Sequence, residues 1–141
     1  MHDEYKAYAY ALREQVEQHN DSLNKLSEIC TQRPLTFSEQ CAAERNIQVL
    51  VEAAIGCSKH YLKLHKNPVP SESKMTIERV YALLAIIEPA KEAITAAVGM
   101  RNVIIHDYLN IDWKFIEPVI RDKDYLSVVH YVQLVTGRLL G

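Results

Sequence analysis

From Asp3 to Ile29, apolar side chains return every third or fourth residue. Tyr5, Tyr8, Leu12, Val16, Leu23, Leu26 and Cys30 fall on one nearly continuous stripe, the spacing of a helix with a buried face. Pro34 marks the break after it. Thr36 followed by Phe37, Ser38 and Glu39 reads as a capping box, in which a threonine hydroxyl and a glutamate carboxylate satisfy free amides at a helix start. The helix it opens is long: Ile47, Leu50, Val51, Ala54, Ile55, Tyr61 and Leu62 recur on one face to about His65. The segment NPVPSES is then a proline- and serine-rich linker that closes a helical hairpin. A third helix is predicted from roughly Lys74 to Ile87, burying Ile77, Val80, Leu83, Leu84 and Ile87. A fourth begins around Pro89, a residue suited to a first helical turn. NIDWKFIEPVIRDKD reads as a short helical or turn segment interrupted by Pro118, and Tyr125 to Leu140 as a final helix. The chain is therefore expected to be all-α, an up-and-down bundle of about five helices. Four glycines are too few for a sheet-rich fold with many tight turns.

Length and composition narrow the class. A chain of 141 residues can bury a self-sufficient core as one domain, spanning residues 1–141. Its 48% hydrophobic and 24% charged residues are ordinary for a globular protein and leave no stretch able to span a bilayer. Cys30, Cys41 and Cys57 are odd in number and widely spaced, which indicates neither a disulfide framework nor a zinc site and fits a reducing cytoplasm. The N-terminal MHDEYKAYAYALRE mixes charges into its first turns and is not a secretory signal, so the mature chain is expected to start there. A formal charge of −2 argues against gripping nucleic acid by bulk electrostatics, so a polyanion would have to meet a local patch.

The fourth helix carries the unusual chemistry. Ile94, Ala97, Val98, Ile104 and Ile105 define its apolar stripe, and Arg101 in RNVIIHDY falls between Val98 and Ile105 on that stripe. An arginine cannot shed its charge, and an unpaired buried ion is very costly, so Arg101 must meet an anion, a set of carbonyls or an interface. A structural account is a salt bridge to Glu44 or Glu52 of the second helix. His106 lies five residues on, roughly 140° around a continuous helix. The two would share a site only if the helix ended near Ile105 or a second subunit brought its own copies across a two-fold axis. His106 could equally be a cation capping the helix dipole, and Tyr108 a half-buried aromatic with its hydroxyl in water. An arginine and a histidine together suit cleavage of RNA through its own 2′-hydroxyl. The imidazole moves a proton near neutral pH, and the guanidinium holds the phosphate as charge builds, with no divalent ion required.

Arg101, His106 and Tyr108 spell R-x-x-x-x-H-x-Y, flanked by MRNVIIHDYLNID from Met100 to Asp112. With AAERNIQVLVEAAIG from Ala42 to Gly56 and the helix order, this resembles the HEPN domains, and within them the HepT-like toxins. The resemblance implies a HEPN-type bundle and a homodimeric, metal-independent endoribonuclease that needs no cofactor. In it, Arg101 and His106 of both subunits line a cleft at the two-fold axis. It also implies a type VII-like toxin–antitoxin pair, in which an MntA-type nucleotidyltransferase silences the toxin by transferring AMP to Tyr108. A phosphodiester and a base beside Arg101 and His106 would occupy the arginine and exclude RNA phosphate.

Other features have weaker claims. Lys59, Lys63 and Lys66 in KHYLKLHK could steer RNA, as could Asn102, although cations complementing the end of the second helix explain the lysines as well. Tyr5, Tyr8 and Tyr10 could stack bases, but core packing or a dimer contact accounts for the first two. Gly56 and Gly99, inside helical patterns, suggest close helix approach. The competing functions are a noncatalytic helical dimer that docks a nucleotidyltransferase and a nucleotide-binding module using Arg101 for a phosphate.

Overall fold

The computed structural model describes residues 3–141. Among them the chain forms six α-helices and one 3₁₀ turn: α1 (Asp3–Cys30), α2 (Phe37–Leu64), α3 (Ser73–Leu84), α4 (Lys91–His106), the turn Tyr108–Asn110, α5 (Trp113–Arg121) and α6 (Leu126–Leu140). The described residues contain no strand.

The capping box is present in full. The Glu39 amide donates to Thr36 Oγ1 at 3.2 Å, and the Thr36 amide donates to Glu39 Oε1 at 2.8 Å. Arg33 closes over the same carboxylate at 2.8 Å, and this bonding holds the Glu39 carboxyl down at about 2. With α2 started there, Ile47, Leu50, Val51, Ala54, Ile55, Tyr61 and Leu62 are all buried, as their spacing predicts. Helices α1 and α6 pack on α2 and on each other, and the α3–α4 hairpin covers α2 from another side. Polar bonds fix the registers. Arg13 of α1 donates from Nε to Thr136 Oγ1 at 2.7 Å and from Nη2 to the Gln133 carbonyl at 2.8 Å. His19 donates to Asn46 Oδ1 at 2.7 Å, and Asn46 Nδ2 donates to Ser22 Oγ at 2.8 Å.

Three expectations need correction. Helix α3 ends at Leu84, where Ala85 turns left-handed with φ 51°, so Ile87 lies beyond the helix and exposed; Leu83, within the helix, falls off its buried face and is exposed too, and Tyr81 is buried with Ile77 and Val80 instead. Pro89 is not in the first turn of α4. It precedes the N-cap Ala90, and its carbonyl accepts the Tyr81 hydroxyl at 2.7 Å, which ties the hairpin together. Pro118 does not interrupt the segment after Asn110: α5 runs through it, and it is one of the six helices of the described residues, in keeping with the all-α bundle expected. The missing proline amide removes one hydrogen bond, and the helix continues through it with Ile116 and Ile120 buried on either side.

The two interior glycines differ. A Cβ on Gly56 would lie 2.9 Å from Tyr8 Oη, so α1 and α2 do approach closely there. A Cβ on Gly99 would meet only the Lys74 ammonium, at 3.6 Å, an ordinary contact, so helix crossing does not explain it. Tyr5 and Tyr8 pack on His60, with the Tyr8 ring stacked at 3.8 Å, whereas Tyr10 is exposed.

At the centre, Ser58 gives its hydroxyl proton to the Ala54 carbonyl at 2.6 Å, which leaves Tyr131 as the donor in the 2.6 Å bond between the two hydroxyls. The Tyr131 ring stacks on Tyr81 at 5.5 Å. Removing the acceptor strands a buried hydroxyl, whereas removing the donor strands nothing. Ser58→Ala is therefore expected to cost about 1–3 kcal/mol in urea unfolding and Tyr131→Phe about 1 kcal/mol. The reverse order would show that the bond runs the other way.

Candidate functional site

Helix α4 carries Val98, Arg101, Asn102 and His106 along the wall of one open groove of about 460 Å³, and Glu72, Ser73 and Lys74 at the start of α3 form the opposite wall. Arg101 and His106 come together on an unbroken helix. The groove runs along the line Val98, Asn102, His106, each four residues apart. Arg101 flanks that line by one position, about 100°, and its long side chain reaches in. The helix does end near Ile105, with His106 its last residue, and both side chains line one groove of a single chain.

The salt bridge expected for Arg101 is not formed. Among the described residues neither Glu44 nor Glu52 pairs with it. Glu44 is pushed up by desolvation alone, and Glu52 accepts from Gln48 Nε2 at 3.4 Å. Arg101 instead donates from Nη2 to Ser73 Oγ at 3.3 Å, and its Nε is buried without any acceptor. One hydroxyl is thus the partner of a full positive charge, and the rest of the guanidinium's bonding capacity is unspent. The start of α3 forms the facing wall, where the N-cap Glu72 makes no side-chain cap and itself lines the groove.

Tyr108 lies outside the groove. Helix α4 stops at His106, the Asp107 amide closes its last turn on the Val103 carbonyl at 2.9 Å, and Tyr108 opens the 3₁₀ turn. Its side chain is two-thirds exposed (67%), beside a more exposed Leu109. The Asn110 side-chain amide donates to Asp107 Oδ1 at 2.7 Å and fastens this turn beneath the tyrosine.

The basic stretch lies elsewhere as well. Lys59, Lys63 and Lys66 sit on and just beyond the last turns of α2, and none lines the groove. His60 donates from its ring to the Gly56 carbonyl at 2.9 Å while stacked on Tyr8, and His65 packs on Tyr61. Glu72 and Ser73 were hidden from sequence reasoning by their place behind two prolines, where NPVPSES reads as linker, and Lys74 was read only as the start of the third helix. The signal available was the polar run preceding Ile77 and Val80, which marks a helix start on which side chains converge.

Among the described residues no three histidine, cysteine or acidic side chains are grouped to hold a metal, and no helix is long and apolar enough to cross a membrane.

Among solved structures with this fold are toxin–antitoxin complexes. A toxin–antitoxin crystal structure with AMP-PNP superposes with a TM-score of 0.74 at 17% identity, over 88% of this chain and 96% of that one. The tri-AMPylated Shewanella oneidensis HEPN toxin in complex with MNT antitoxin gives 0.75 at 17% identity, over 89% and 96%. A tyrosine-to-alanine mutant of the toxin–antitoxin MntA-HpeT gives 0.75 at 16% identity, over 89% and 98%. No curated protein matches the chain. At these identities the likeness establishes the HEPN toxin fold. The model of the family described as ribonuclease HepT-like matches residues 9–133, nearly the whole bundle including the groove and the turn that follows it. The chain belongs to the HepT-like ribonuclease family.

Proposed function

We propose that the protein, a single domain over residues 1–141, is a metal-independent RNA endonuclease that acts as a homodimer and as the toxin of a toxin–antitoxin pair. The observation that carries this reading is the convergence of Arg101 and His106 on one groove, with the guanidinium left without a carboxylate. In the proposed reaction an RNA 2′-hydroxyl loses its proton to a base and attacks the adjacent phosphorus. The bond from phosphorus to the 5′-oxygen breaks, and that oxygen takes a proton. The products are a 2′,3′-cyclic phosphate and a 5′-hydroxyl. Arg101 neutralises the charge that builds on the phosphoryl oxygens, and His106 transfers a proton. One histidine per groove serves one of the two transfers at a time, and in the proposed homodimer a second copy of the chain would supply the other.

Regulation by a partner nucleotidyltransferase is part of the same proposal. Catalytic and modified residues have opposite needs: His106 must face a walled groove, whereas a hydroxyl that enters another enzyme's active site must protrude. Tyr108, two-thirds exposed on its short turn, meets the second need. The complexes with MNT and MntA antitoxins among structures of this fold support a partner of that type. Asn102, which lines the groove, is the proposed RNA contact, and Lys59, Lys63 and Lys66 would act only as an outlying track for the strand.

Purified protein free of AMP, incubated with total RNA and EDTA, is expected to leave 2′,3′-cyclic phosphate ends. His106→Ala should lower the cleavage rate by about 10²–10⁴. Absence of cleavage by folded, unmodified protein would favour a noncatalytic helical partner of a nucleotidyltransferase. Arg101→Met should abolish cleavage yet unfold in urea at the same or higher concentration than wild type, since it removes a charge without a partner. A marked loss of stability would assign Arg101 to the scaffold. Incubation with the partner nucleotidyltransferase and ATP should add one or more AMP units to the chain by mass spectrometry, and modification that survives Tyr108→Phe would reject that tyrosine.

A further inference from the structure

The groove contains a second cation that the R-x-x-x-x-H-x-Y motif does not include. Lys74, in the first turn of α3, lies across α4, with Nζ 3.6 Å and Cε 4.0 Å from the position a Cβ on Gly99 would occupy. Gly99 is thus the patch of bare backbone over which the lysine extends, in the turn that also carries Arg101 and Asn102. Lys74 forms no ion pair among the described residues, although Glu72 lines the same groove. Two cations from two helices therefore face one groove of about 460 Å³, neither neutralised by a carboxylate, with the Arg101 Nε buried and without an acceptor. Like charges brought together cost free energy unless an anion joins them. Ser73 adds a positioning element, since among the described residues its hydroxyl is the hydrogen-bond partner of the Arg101 guanidinium.

We propose that Lys74 is a second phosphate ligand of the groove, so that Arg101 from α4 and Lys74 from α3 bracket the RNA backbone. This rests on the reading of the groove as an RNA-cleaving site and adds to it the residue that sets substrate affinity. Arg101, with its planar fork and fixed side chain, holds the phosphate that reacts. Lys74, a flexible point charge on the solvent side, contributes electrostatic attraction that is released with counterions.

The test is binding of a fluorescent single-stranded RNA oligomer to the non-cleaving His106→Ala chain across a series of KCl concentrations. Into that background Lys74→Gln, Arg101→Ala and, as a remote exposed control, Lys25→Gln are introduced. For single strands each phosphate contact contributes about 0.7 to the slope of log affinity against log salt. Lys74→Gln is expected to flatten the slope by about 0.7, and Lys25→Gln to leave it unchanged. In the cleaving chain, Lys74→Gln should raise KM more than it lowers kcat, and Lys74→Arg should restore most of the loss. A slope that responds to Arg101→Ala but not to Lys74→Gln overturns the proposal and leaves the site reading standing. RNA binding that ignores Arg101→Ala as well overturns both. Lys74 is exposed, so these variants are expected to fold, and circular dichroism verifies it.

Discussion

Burial around most of the circumference of α2 is the constraint on which the rest of the structure depends. Between Ala43 and Leu62 this helix buries more than one stripe: Ala43, Ile47, Leu50 and Ala54 mark its centre, with Ala53 and Cys57 buried to one side and Val51 and Ile55 to the other. A helix with one apolar stripe can be satisfied by one neighbour, whereas a helix buried on several sides needs several. Helices α1 and α6 cover one side and the α3–α4 hairpin another, so the positions of all four are consequences of α2. The buried polar groups follow the same logic. Asn46 and Ser58 sit on α2 and are satisfied by α1 and α6, which makes the registers of those helices specific rather than merely apolar.

The hairpin that covers α2 is also what builds the groove. Tyr81 bonds across to the Pro89 carbonyl and stacks on Tyr131, which anchors α3 and the lead into α4 to the bundle centre. That anchoring sets the start of α3 against the second half of α4, and Ser73 meets Arg101 as a result. An arginine on the inner stripe, held by one hydroxyl and with a buried Nε left unbonded, does not contribute to stability as a paired charge would. Such a group is tolerated when the fold supplies ample burial elsewhere and the site has another use for it.

The separation of the groove from Tyr108 is equally physical. Arg101, Asn102 and His106 stand on a helix packed against three others, which holds side chains in place; Tyr108 stands on a short turn with its side chain in solvent. A phosphodiester attached there would lie two residues from His106. Its negative charge would then compete for the cations that the proposed reaction needs.

The sequence by itself determined the helices and the motif. Apolar spacing located α1, α2 and α6 within a residue or two, and Thr36 with Glu39 marked the start of α2, because caps and periodic stripes are local properties. Arg101 stood out for a local reason too, as a fixed charge on an apolar stripe. Tertiary structure alone decided what those residues meet. Whether Arg101 pairs with Glu44 or with Ser73 depends on the placing of α3 over α4, and no periodicity within one helix contains that. The end of α3 at a left-handed Ala85, which leaves Ile87 outside the helix and exposed, was likewise set by how the hairpin closes. Lys74 was invisible for the same reason: its place in the groove is a relation between two helices, and a sequence read along one chain direction records each of them separately.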